Sequence, residues 1–213
     1  PFTSPHLHYR AIRPTHDLPL FTAINADQTG YPNSNISNAK LPGATDALTY
    51  LTHCSTATLL GAIIWLPHPP SLKGRFLTNE IARLKRVEDA KGIHGTLVED
   101  CGIAIGEIHL SLLPTHSSHH RHTELGIGIL PAWQGCGYGG EAIGWAVEYA
   151  FLRVGLHRVG VRAFGWNERA VRLYERLGFC VEGREREAFW WEGGWWDGVL
   201  LGVLEGEWRA RRE

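Results

Sequence analysis

Glycine is concentrated in the stretch QGCGYGGEA, from Gln134 to Ala142, in a way that can do chemistry. Gly135, Gly137 and Gly140 spell G-x-G-x-x-G, the turn that lays a dinucleotide pyrophosphate on a helix N-terminus. Shifted by one residue, Gln134, Gly137 and Gly139 spell Q-x-x-G-x-G, which suggests a different cofactor. Both readings share their physics, because turn amides and the positive end of a helix dipole attract an anion. Just upstream, in ELGIGIL (124 to 130), period-two alternation puts Leu125, Ile127 and Ile129 on one strand face and Glu124, Gly126 and Gly128 on the other. Bare glycine backbone there permits close approach of a ligand or of another chain segment, with the Glu124 carboxylate beside it.

Other reactive residues carry weaker patterns. A dinucleotide site asks for an acidic residue about 20 residues beyond the glycines. The strand that would supply it, RVGVRAF, has none, and no Asp or Glu occurs between Glu148 and Glu168. Cys136 stands where a helix N-terminus lowers a thiol pKa, but no His or Asp is placed by sequence to complete a triad. His116, His119, His120 and His122 share the loop PTHSSHHRH. A zinc site needs a closed ligand set with supporting partners, which a Ser-rich loop tip rarely supplies, so a solvated loop fits better and no metal is assigned.

These groups need elements to hold them. HYRAIRP (8 to 14) alternates like a first strand, with Tyr9, Ala11 and Arg13 on one face, and Thr15 can N-cap a helix running to about Ala26. Residues 27 to 46 are rich in Asn, Gly, Ser and Pro and read as loop. Leu48 to Leu66 carries no charged residue, but its apolar core from Ala57 is too short to span ~30 Å of hydrocarbon and reads as a buried element. Residues 72 to 90 have a helical stripe. Strand-like runs follow at His94 to Glu99, Ile103 to Leu113 and Glu124 to Leu130. Beyond the glycines, Tyr138 to Val154 is helical in spacing and 157 to 164 a strand. NERAVRLYERLGF is a helix with Asn167 as N-cap and Gly178 at its stop. The Trp-rich runs around Glu192-Gly193-Gly194 read as a hairpin.

Composition sets limits on partners. The 213 residues, 44% apolar and 20% charged, fit one large domain spanning 1–213. A formal net charge of −1 with mixed signs gives no footprint for nucleic acid or an anionic membrane. Cys54, Cys101, Cys136 and Cys180 are too scattered for a disulfide framework and suit reduced thiols inside a cell, with the cytoplasm as the expected compartment. The first residues lack the apolar region of a signal peptide, and the absence of Met suggests a trimmed chain.

ELGIGILPAWQGCGYGGEAI resembles the signature of the GNAT superfamily of N-acetyltransferases, and NERAVRLYERLGF resembles its second motif, in the family's order and at a familiar distance. The tail GGWWDGVLLGVLEGEW is similar to the branch of ribosomal-protein alanine acetyltransferases, the RimJ/RimL type. The match runs from about Ile103 to Trp208 and leaves 27 to 70 poorly matched. The resemblance implies an α/β fold with a mixed, mostly antiparallel seven-stranded sheet, splayed between the family's fourth and fifth strands and flanked by about four helices. It implies acetyl-CoA as acyl donor and a primary amine, a peptide N-terminus or a small molecule, as acceptor, in a monomer or homodimer.

On these residues the resemblance places the pyrophosphate at Gly135, Cys136, Gly137, Tyr138 and Gly139 beside Gln134. The pantetheine arm would run along Ile127, Ile129 and Leu130, with Asn167 and Ala170 near the arm or the phosphates. Tyr174 takes the position of the general acid. A base or a water chain must collect a proton, because an alkyl ammonium with a pKa near ~10.4 is a poor nucleophile at neutral pH, and Glu124 on the glycine-bearing face is the candidate base. A bulge in its strand would reverse the facing of Glu124. Two other classes stay open: a non-catalytic acyl-CoA-binding module, which would bind the thioester without turnover, and a nicotinamide-dependent oxidoreductase, which would bind NAD and not CoA.

Overall fold

A computed structural model of the chain describes residues 2–67, 98, 99 and 102–213. The helical stripe at 72 to 90 lies outside the described residues, as does most of the run from His94. Strands are β1 (His8–Ala11), β2 (Thr58–Pro67), β3 (Val98–Glu99), β4 (Gly102–Ser111), β5 (His122–Ile129), β6 (Arg158–Phe164), β7 (Cys180–Trp191) and β8 (Gly194–Leu204). Helices are α1 (Pro14–Asn25), α2 (Gly30–Ser34), α3 (Ala44–Thr56), α4 (Tyr138–Tyr149), α5 (Glu168–Arg176) and α6 (Glu205–Ala210).

The sheet runs β1-β2-β4-β5-β6-β8-β7, seven strands, with the two-residue β3 set against β4. All pairs are antiparallel except β5 with β6. A doubly wound nucleotide fold needs a mostly parallel sheet, so the oxidoreductase reading loses its architecture. The parallel pair is also brief. His122, Thr123 and Glu124 align with Arg158, Val159 and Gly160, and beyond them β5 stays with β4 while β6 stays with β8. The sheet is therefore splayed between these two strands.

Alternation along β2 shows what holds the halves together. Ala62 and Ile64 join a core beneath α4 that includes Ile143, Ala146, Val147 and Phe151. Ile63 and Trp65 join a second core beneath α1 and α3 with Leu20, Phe21 and Leu51. With both faces covered, β2 reads as a continuous apolar run without a strand-like period. The charge-free segment at 48 to 66 is thus the end of a helix followed by a central strand.

Local signals fared unevenly. Asn167 caps α5, its Oδ1 accepting from Ala170 N–H at 3.2 Å. Glu192 and Gly193 both have positive φ, 47° and 80°, as a tight two-residue hairpin turn requires. Thr15 does not cap α1; the helix opens two residues earlier than such a cap implies, at Pro14, with Arg13 as the capping residue. Pro at the first turn is preorganised for helical φ and gives up an N–H that had no partner there. Of the first-strand face, Tyr9 is buried and stacks on Trp145 with ring centroids 3.6 Å apart, while Ala11 is exposed. The expected loop at 27 to 46 contains α2 and the start of α3.

Asp17 joins β1 to α1. It is fully buried, takes two hydrogen bonds from Arg10, at 2.8 and 3.1 Å, and one from Arg13 N–H at 2.6 Å. The Arg10 guanidinium also lies 5.0 Å over the Trp65 ring. Removing one partner of a buried pair costs about 3 kcal/mol. Asp17→Ala is therefore expected to lower the melting temperature by roughly 6–12 °C for a domain of this size, read by thermal unfolding; a shift below ~2 °C would show that the pair does not hold β1 in place.

Candidate active site

Where β5 and β6 part, a cleft of about 1010 Å³ passes through the sheet. Its walls come from both faces. Residues 125 to 129 of β5 line it, and from Leu125 onward no described strand pairs with that edge, so main-chain groups there can bond an extended ligand. Gly135 and Gly137 line it too, with φ of 79° and 92° that a side chain would strain. They form the turn that opens α4, and the first helical amides lack intrahelical partners.

Most of the sequence-derived site residues converge here: Glu124, Ile127, Ile129, Gln134, Gly135, Gly137, Gly139, Asn167, Ala170 and Tyr174 all line the cleft. Gln134 Nε2 donates to the Ile129 carbonyl at 2.8 Å and to Asp27 at 3.0 Å, tying the glycine turn to β5 and to the segment that follows α1. Asn167 caps its helix and also donates to the Asn33 carbonyl at 3.3 Å. Three expected residues have side chains that point elsewhere, while the amides of Cys136 and Tyr138 remain in the glycine turn. Leu130 is in the core under α1 and α3, and its N–H donates to the Ile105 carbonyl, which removes it from the pantetheine track. The Cys136 thiol is exposed and lies 3.7 Å from the Gln134 carbonyl. Tyr138 packs against Trp133 and the α4 core.

Tyr174, on the buried face of α5, belongs to the core beneath α4 and opens into the cleft from that side. Burial pushes its phenol up to about 12. At neutral pH it holds its proton and can give it to a developing anion. Arg169, Arg172 and Arg176 line the same side, and a Cβ on Gly135 would lie 3.0 Å from the Arg169 guanidinium. Cations beside a glycine turn suit a phosphate-rich ligand. Their spacing on one helix face was readable in the sequence.

The opposite mouth is built differently. Glu124 keeps the facing of Gly126 and Gly128, since β5 runs in unbroken register against β4. Its Oε1 accepts from Arg162 at 3.1 and 3.2 Å, and the side chain is 49% exposed. The irregularity lies next door on β4. Ile64 aligns with Gly106 and Trp65 with Ala104, so Ile105 is an extra residue. Ile103 and Ile105 therefore face the α4 core, while beyond the bulge Ile108 and Leu110 take that face and Glu107 and His109 turn towards α3. Glu107 is fully buried and accepts from Tyr50 O–H at 2.5 Å and from His109 Nδ1 at 3.0 Å. The Cys54 thiol lies 3.9 Å from it. Glu107 aligns with Gly128 and His109 with Gly126, where an added Cβ would come within 2.3 Å of the imidazole. The space at Gly126 is thus filled by a neighbouring strand, and that at Gly128 by the same strand together with Ile24 of α1, the second of the alternatives that their bare backbone permits.

Tyr50, His53 and His109 line this mouth, and Trp166 closes its far wall, stacked on Phe164 and packed against Trp191 and Trp196. Half of the hairpin tryptophans thus support the cleft, while Trp190 and Trp195 pack on each other in solvent. Of the loop histidines, 116, 119 and 120 are exposed, and His122 is the half-buried first residue of β5. Cys54, Glu107 and His109 are the one group of three ligand types that gathers among the described residues, with donor atoms within 4.8 Å of one another.

A sheet splayed beside a glycine turn is the frame of a known family, and the acetyltransferase (GNAT) domain model matches residues 40–180. The chain belongs to the GNAT acetyltransferase family. Its fold matches the crystal structure of spermidine N-acetyltransferase from Vibrio cholerae in complex with CoA and spermine, with a TM-score of 0.69 and 21% identity over 97% of this chain and 99% of that one. In sequence it is 34% identical over 94 residues to the Vibrio cholerae spermidine N(1)-acetyltransferase, 44% of this chain and 54% of that protein. It is 29% identical over 154 residues to YdaF of Bacillus subtilis, a putative ribosomal N-acetyltransferase, 72% of this chain and 82% of that protein. The chain spans about half the length of the first of these relatives. No described helix of this GNAT chain is long and apolar enough to cross a membrane.

Fitting a methyl group against the His109 ring should cost about 1–3 kcal/mol. Gly126→Ala is expected to destabilise the protein by that amount, and by much less in a His109→Ala background, in a double-mutant cycle read by denaturant unfolding. Equal penalties in both backgrounds would show that the ring does not occupy the space above Gly126.

Proposed function

We propose that this GNAT protein transfers the acetyl group of acetyl-CoA to a primary amine by direct attack of the amine on the thioester. The observation that carries the reading is the cleft through the splayed sheet, with a phosphate-suited glycine turn and Tyr174 on one side and carboxylate, histidine and aromatic groups on the other. The Vibrio cholerae neighbour was crystallised with CoA, which supports the donor assignment.

The residues divide the work. Amides of the Gly135–Gly139 turn and the α5 arginines hold the phosphates, Gln134 and Asn167 fix the turn and helix around them, and the free edge of β5 at Ile127 and Ile129 pairs with the pantetheine arm. An N–H of that edge polarises the thioester oxygen as negative charge develops on it. Tyr174 gives its proton to the departing thiolate. Glu124 meets the incoming ammonium at the opposite mouth. It, His53 and His109 are groups there that can receive the ammonium proton. Relatives named as spermidine N(1)-acetyltransferase and as ribosomal protein uS5-alanine N-acetyltransferase support a cationic amine as acceptor, either a protein N-terminus of the RimJ/RimL kind or a polyamine.

Calorimetric titration of the purified chain is expected to show binding of acetyl-CoA and none of NAD. Thiol release against spermidine and a panel of N-terminal peptides should then reveal the acceptor. Tyr174→Phe should keep acetyl-CoA affinity and lose about 10²–10⁴-fold in kcat. Binding without turnover on any amine would favour an acyl-CoA-binding module, and a chain that ignores acetyl-CoA would sink the proposal.

A further inference from the structure

Resting on the acetyl-transfer reading, we infer that His109, backed by the buried Glu107, is the base that takes the acceptor ammonium's proton, on the opposite side of the strand gap from Tyr174.

Three observations converge on it. A carboxylate with no exposure is costly to bury and persists where hydrogen bonds satisfy it. Here Tyr50 and His109 donate to separate oxygens of Glu107, at 2.5 and 3.0 Å. The β4 bulge then turns both residues to the acceptor side, and Gly126 leaves space for the ring. Nδ1 is taken by Glu107, so Nε2 is the nitrogen left to accept a proton, and the ring, with 12% of its side chain exposed, lines the cleft. A carboxylate on one imidazole nitrogen fixes the tautomer and raises the basicity of the other. Glu124, by contrast, is half in solvent and bound to Arg162 through one oxygen.

The groups around the ring can be named. From α3 come Tyr50, the Cys54 thiol at 3.6 Å and His53, whose ring centre is 5.9 Å away; β5 presents Gly126 and Gly128, with Glu124 farther along, and β2 presents Gly61. Burial drives the imidazole towards neutrality, but the charge and hydrogen bond of Glu107 outweigh it, and the net shift is upward from 6.5. Below that raised value His109 already holds its proton and cannot act as a base. The rate should therefore climb with pH through a value above 6.5.

The step balances. One N–H bond of the ammonium breaks and its proton joins His109 Nε2. The freed nitrogen pair attacks the acetyl carbon, and the C–S bond breaks with its electrons on sulfur. Tyr174 protonates the sulfur, and the second amine proton leaves the new amide to restore Tyr174 through solvent. His109 sheds its proton to water, so ammonium and acetyl-CoA give amide, free thiol and one proton.

The test is the pH dependence of kcat/KM for the full chain with acetyl-CoA and spermidine or an amine peptide that the thiol-release panel shows to be turned over. Alongside it run an NMR titration of the His109 ring and calorimetry with acetyl-CoA. His109→Gln should lose the acid limb and about 10²–10⁴-fold in rate, with acetyl-CoA affinity within twofold of wild type. Glu107→Gln, nearly isosteric, should move both the limb and the NMR midpoint down. A His109→Gln variant that keeps rate and limb, with the limb lost in Glu124→Gln instead, overturns the proposal. So does a His109 ring titrating at or below 6.5, with or without turnover. Activity lost to a chelator and restored by zinc would reassign Cys54, Glu107 and His109 to a metal. Failure to bind acetyl-CoA would remove the acetyl-transfer reading itself, whereas binding with an unaffected His109→Gln removes only this inference.

Discussion

Everything chemical in this protein depends on β5 and β6 separating after three paired residues. Parallel strands in a compact domain ordinarily stay paired, because each buried backbone group left without a partner costs about 1–3 kcal/mol. Here the strands are pulled apart by what each is bound to. β5 continues in register with β4 through Ile129, and β6 runs its whole length against β8. The free edge of β5 then borders the cleft, where an extended ligand can complete the ladder. Binding energy for such a ligand is thus built into the sheet as an unmet demand.

The gap also separates two chemical environments. The α4 and α5 side offers glycine amides, arginines and a phenol that burial keeps protonated. The α1 and α3 side offers carboxylates, histidines and indoles. On the proposed acetyl-transfer reading, an acyl donor rich in phosphate and an amine that arrives as a cation would be drawn to opposite mouths by charge. Their reacting atoms would then meet in the gap between the strands, with the leaving sulfur on the side of the acid and the nitrogen on the side of the bases.

Legibility in the sequence followed the range of the interactions involved. The glycine turn, the Asn167 cap, the α4 and α5 helices and the Trp-rich hairpin were readable because each is specified within about a dozen residues. β2 was not read as a strand, since a strand buried on both faces loses the alternation that marks it. The role of Glu107 and His109 was hidden for a different reason. Their facing is set by one extra residue, Ile105, and a bulge is a property of the pairing with β2 that a single strand's pattern does not record. Leu130 was misplaced by the same kind of non-local demand, because the Ile105 carbonyl claims its amide.

Gly126 and Gly128 show why the motif around them has two explanations at once. On one face of β5 an added Cβ at Gly126 would strike the His109 ring at 2.3 Å, and one at Gly128 would sit tightly against Ile24 and Glu107, at 3.2 and 3.3 Å. On the strand's free edge their backbone borders the cleft, where bulk would obstruct a ligand. The first requirement is local packing and the second is binding, and glycine satisfies both without compromise. A strand this bare has little β propensity of its own. It is anchored by the hydrophobic face formed by Leu125, Ile127 and Ile129 against the α4 core. The apolar half of the strand therefore carries the stability, which leaves the other half free to be shaped by the buried imidazole–carboxylate pair.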